Sequence, residues 1–73
     1  STAKGENMKS LYQSEYVALL LALMKRDREK RNGAKLPCDT LSGIKSAIKS
    51  TGEKAGYDNK RIRKDIRVAL LQP

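Results

Sequence analysis

The sequence predicts an all-α fold, a compact three-helix domain with a long first helix and a basic third helix. Three observations predict it. Apolar residues recur at three- and four-residue steps, two loop signals interrupt them, and the aromatic content is three tyrosines with no Trp or Phe. A core without large rings must be built from Leu, Ile, Val, Ala and Met, which suits packed helices better than a sheet. The 73 residues make one domain. A chain this short buries only about 60% of the surface its unfolded form exposes, so each core side chain counts.

Residues 1–9 are polar and contain Gly5, and they are expected to be a flexible lead-in to a single helical domain over 10–73. Ser10-Leu11-Tyr12-Gln13 has the spacing of a capping box, which places the start of the first helix at about 11. Tyr12, Tyr16, Leu19, Leu20 and Leu23 then trace one face, and no breaker appears before Asn32-Gly33. Helix 1 is expected over about 11–31, its last turns rich in cations that suit the dipole. Leu11, Ala18, Leu21 and Ala22 fall off the main stripe, so this helix is apolar nearly all round in its first half. Such a helix is normally covered on more than one side, either between the other two helices or by a second copy.

Gly33 and Pro37 mark the first loop. Asp39 or Thr40 is positioned to cap helix 2, expected over about 40–51 with Leu41, Ile44, Ile48 and Thr51 as its stripe and Gly52 as its stop. Tyr57 in the second loop is placed to anchor against the core. Asp58 caps helix 3, expected over about 59–71, where Ile62, Ile66, Ala69 and Leu70 form the buried stripe.

Charge is unevenly placed. The chain has 16 basic and 8 acidic residues, a net charge of +8. Residues 25–35 hold six cations against Asp27 and Glu29, residues 59–73 hold five against Asp65, and the remaining stretches balance. The whole excess lives in these two blocks. On a helix, Lys60, Arg63, Lys64 and Arg67 fall within about a 100° arc beside the apolar stripe, with Arg61, a further binding candidate, and Asp65 on the other flank. Like charges at these spacings cost a few tenths of a kcal/mol per pair, which a bound polyanion would offset. In the first block Asp27 can pair with Arg31 and Glu29 sits between Arg28 and Lys30, and Lys25, Arg26, Lys30 and Lys35 remain as phosphate-contact candidates. Lys45 and Lys49, one turn apart on helix 2, are candidates to extend the footprint.

These features point to a small basic nucleic-acid-binding module, duplex DNA above all, that contacts phosphates and a groove through helix 3. Two helices of which the second carries the contacting side chains make the arrangement helix-turn-helix-like, although the link from Gly52 to Asp58 is longer than usual for that motif. The order of long helix, short helix and basic final helix is similar to the helical part of a linker-histone-type domain over about residues 16–71. This is a likeness of arrangement with no shared motif. Such a module suits transcription regulation. The alternative is an adaptor or regulatory module that docks an acidic protein, as a homodimer through the surplus apolar side of helix 1.

Catalysis is not expected. There is no His, the carboxylates are scattered, and neither Asn32–Pro37 nor Ser50–Gly56 has the glycine spacing of a phosphate loop. Cys38 is the only cysteine, so no internal disulfide and no Cys/His metal site can form, and no cofactor is implied. A lone thiol and the absence of a secretory pattern fit an intracellular, reducing compartment, cytoplasm or nucleus. The longest apolar run, Tyr16–Met24, is far short of the ~20 residues a membrane span needs. Attachment of helix 1 to a membrane surface is the weaker use of that apolar run, which the core requires.

Overall fold

Three helices, α1 (Lys4–Arg31), α2 (Thr40–Lys54) and α3 (Asn59–Leu70), make up the computed structural model, which describes the backbone of residues 4–71 and the side chains of residues 8–71. No strand occurs among the described residues. The all-α, three-helix expectation holds. Among the described residues no helix is long and apolar enough to cross a membrane.

The helix boundaries differ from expectation at two places, each for a physical reason. α1 begins at Lys4, so residues 4–9, expected as part of a flexible lead-in, are helical; residues 1–3 of that lead-in lie outside the described residues. Ser10 and Gln13 sit inside the helix and cap nothing. Glu6, Met8 and Lys9 are good helix formers, and extending an existing helix is far easier than starting one. At 28 residues α1 is about 42 Å long, most of the longest dimension of a body measuring 49 × 21 × 20 Å.

The second difference is Gly52, which does not stop α2. The helix continues to Lys54, and Gly56 at φ +93° ends it. There the Tyr57 N–H donates to Gly52 O at 2.9 Å and the Gly56 N–H to Glu53 O at 3.1 Å, the paired bonds of a Schellman motif. α1 ends in the same way. Gly33 has φ +96°, and the N–H groups of Ala34 and Gly33 donate to Glu29 O and Lys30 O at 2.9 and 3.1 Å. Gly52 stays helical because its missing side chain is needed elsewhere: a Cβ there would lie 2.8 Å from Ile62 Cδ1 and from Tyr16 Cε1. All three helices meet at this glycine.

The core is aliphatic apart from one ring. Tyr16, Leu23, Ile48 and Ile62 are fully buried, Ile66 and Ala69 nearly so, and Leu19, Leu20, Met24, Leu41, Ile44, Tyr57 and Leu70 pack around them. Burying one such aliphatic side chain contributes about 1.5–3 kcal/mol. The expected stripes of all three helices are therefore the ones that pack. Tyr57 anchors as expected, edge-on to Tyr16 with ring centroids 4.7 Å apart. Tyr12 is half-buried, with the Lys54 ammonium 5.5 Å from its ring centre.

Among the described residues, none covers the far side of α1. Leu11 is 69% exposed, Leu21 59% and Val17 53%. α2 and α3 both pack on the Tyr16/Leu23 side, which leaves α1 at an edge of the molecule instead of at its centre.

Candidate nucleic-acid interface

α3 owes its orientation to its first and third turns. Asp58, in extended backbone, accepts the Arg61 N–H on Oδ1 at 2.8 Å and so satisfies an otherwise unpaired helix N-terminus. Ile62, Ile66 and Ala69 are buried against Tyr16, Leu23 and Ile48. With that stripe fixed inward, Lys60, Arg63, Lys64 and Arg67 must point out. All four are exposed, and together they line one surface depression of about 270 Å³. None of the four makes an ion pair among the described residues. Lys60 and Lys64 also border a depression shared with Asp58, Arg61 and Asp65. Those two carboxylates are engaged in capping the helix and in the network described next.

Arg61 does not join the ridge. Its guanidinium lies over the Tyr57 ring, 4.2 Å from the centroid, and its Nε is 3.7 Å from Asp65 Oδ2. That carboxylate oxygen also accepts the Tyr16 hydroxyl at 2.7 Å. Burial first, then the bond to Asp65 and the charge of that carboxylate, pushes the Tyr16 phenol well above its ordinary range. Tyr16, Tyr57, Arg61 and Asp65 thus form a network on the flank of α3 that faces α1. Only its Arg61–Asp65 part was readable from sequence, as an i,i+4 pair; the link from Tyr16 spans 49 residues.

On α2, Lys49 is exposed and Lys45 half-buried. They stand three and seven residues before Gly52, on the same helix face, and Gly52 touches Ile62. Both lysines therefore lie beside the buried face of α2, which meets Tyr16 of α1 and Ile62 of α3 alike at Gly52. Lys25, Arg26 and Lys35 are exposed at the end of α1 and in the loop after it. Arg26 is spoken for locally, its Nη1 2.7 Å from Glu29 Oε1, and Arg31 pairs with Asp27 at 3.1 Å. Capping of α2 departs from expectation: Asp39 holds the N-cap position, but its side chain makes no cap bond, and Ser42 Oγ donates to its carbonyl at 3.2 Å. Cys38 is exposed in the first loop.

No protein-family model, no curated protein and no solved structure matches this chain.

Proposed function

We propose that this chain is a non-catalytic nucleic-acid-binding module that grips duplex DNA through the α3 ridge. The observation that carries the proposal is the convergence of Lys60, Arg63, Lys64 and Arg67 on one exposed surface where, among the described residues, no carboxylate pairs with them. From Lys60 to Arg67 the ridge rises about 10 Å, roughly three base-pair rises along a duplex axis. The major groove admits an α-helix, and arginine is the residue best shaped to take two acceptors of a guanine edge there. Lys45 and Lys49 on α2 are further candidates for phosphate contact in this reading.

Duplex is favoured over single-stranded RNA because the tyrosines are committed to the fold. Tyr16 is buried, Tyr57 is held between Tyr16 and Arg61, and Tyr12 meets Lys54. Single-strand binders need rings free to stack on bases. The second reading, docking of an acidic protein, is favoured by the exposed Leu11 on α1, an apolar side chain that DNA does not require.

Fluorescence anisotropy with a short duplex, titrated between low and moderate salt, tests the proposal. Affinity should fall steeply with salt, by a log–log slope of about 0.9 for each phosphate neutralised. The variant K60Q/R63Q/K64Q/R67Q, checked for unchanged helicity, should bind weakly and lose most of that slope. Unchanged affinity in the variant overturns the DNA role of the ridge.

A further inference from the structure

We propose that the cleft between α1 and α3, on the flank of α3 away from the ridge, is the surface through which two copies of this chain pair. The cleft has a volume of about 240 Å³, with Tyr16, Leu20 and Ala69 among its lining and Val17, Met24 and Val68 around it. Leu21, one turn from Val17 on α1, is 59% exposed. The same patch thus holds both an apolar hollow and apolar side chains standing beside it. Self-complementarity of this kind is what a two-fold contact between identical chains requires.

Charge selects the occupant. A chain of net charge +8 repels its own copy, so pairing needs a region without net charge. The cleft is that region. Among the described residues its only charged groups are Arg61 and Asp65, which face each other at 3.7 Å, and the rest of that lining is apolar or phenolic. An acidic partner would gain more from the ridge, and a polyanion gains nothing from Val17 or Leu21. Pairing here leaves the ridge of each copy facing outward.

Area sets the strength. Five partly exposed side chains, Val17, Leu20, Leu21, Met24 and Val68, at on the order of 60 Å² of apolar surface each, offer about 300 Å² per copy. A standard interface buries about 800 Å² per partner, somewhat more than half of it apolar. The dimer is therefore of the weak, concentration-dependent kind.

Sedimentation equilibrium over a range of protein concentrations and at two salt levels tests this. The protein should pass from one copy to two as concentration rises, and pairing should strengthen with salt because salt screens like charges. DNA binding has the opposite salt dependence, so failure of one proposal is distinguishable from failure of the other. The double variant V17E/L21E should remain a single copy with unchanged circular dichroism, since both positions are more than half exposed. Leu11→Glu, about 120° around α1 from Val17, should pair as the parent does. The proposal is overturned by a parent protein that stays monomeric throughout, by a dimer that survives V17E/L21E, or by one that Leu11→Glu abolishes.

Discussion

A methyl group on Gly52 would lie 2.8 Å from both Ile62 Cδ1 and Tyr16 Cε1, whereas one on Gly43, in the same helix, meets nothing within 4 Å. Helix propensity favours alanine over glycine by about 1 kcal/mol at either position. At Gly43 nothing opposes that gain, so Gly43→Ala should stabilise the domain by up to about 1 kcal/mol. At Gly52 overpacking costs about 1–3 kcal/mol, because the tyrosine ring cannot bend aside, and Gly52→Ala should destabilise. Urea midpoints shifted in opposite directions would verify the pair. Tyr16 carries a second residue-scale prediction. Its phenol is held protonated in the fold, while in the unfolded chain it ionises near its ordinary 10.0. The unfolded state therefore releases that proton first. The stability Tyr16 contributes is complete below about pH 10 and is lost as pH rises beyond it. Tyr16→Phe removes a donor from the Asp65 carboxylate, which should cost about 1–3 kcal/mol at neutral pH. Thermal melts between neutral pH and pH 11 should show a smaller alkaline decline in the variant than in the parent.

Helix α3 has two unlike flanks. One bears four cations that make no ion pair among the described residues, and the other bears a paired network of Tyr16, Tyr57, Arg61 and Asp65. In the free protein the first flank is a source of strain. Lys60–Lys64 and Arg63–Arg67 at i,i+4, with Lys60–Arg63 and Lys64–Arg67 at i,i+3, each cost a few tenths of a kcal/mol. Added salt should therefore raise the melting temperature of the unbound domain. K60Q/R63Q/K64Q/R67Q should melt higher than the parent at low salt and respond less to its addition, which calorimetry at two ionic strengths would check. A ridge that had evolved only for solubility would gain from interspersed carboxylates, as the end of α1 does with Arg26–Glu29 and Asp27–Arg31.

At the scale of the whole molecule, the architecture and the inward faces were legible in the sequence because both follow from periodicity. A stripe such as Ile62, Ile66 and Ala69 can bury in only one orientation, and that orientation exposes the ridge as its geometric complement. The ends of elements were less legible. Gly52 and Gly56 are the same residue type four positions apart, and only packing against Ile62 and Tyr16 makes the first a helical contact and the second a stop. Ser10 has the spacing of a cap, yet the residues before it favour the helix as well. The packing of both partner helices on a single side of α1 was not legible either, since an all-round apolar helix can sit centrally or at an edge. Arg61 divides within the candidate site: helix phase alone sets it off the ridge, whereas its ring partner Tyr57 and the Tyr16–Asp65 bond beside it come only from tertiary packing.

The edge-to-face meeting of Tyr16 and Tyr57 has one more consequence. The chain has no tryptophan, so its near-ultraviolet emission comes from three phenol rings alone. Two of those rings touch where α1, the second loop and the start of α3 converge. The protein therefore carries a built-in optical reporter at that seam, and an occupant of the adjoining cleft would alter its light without any attached dye.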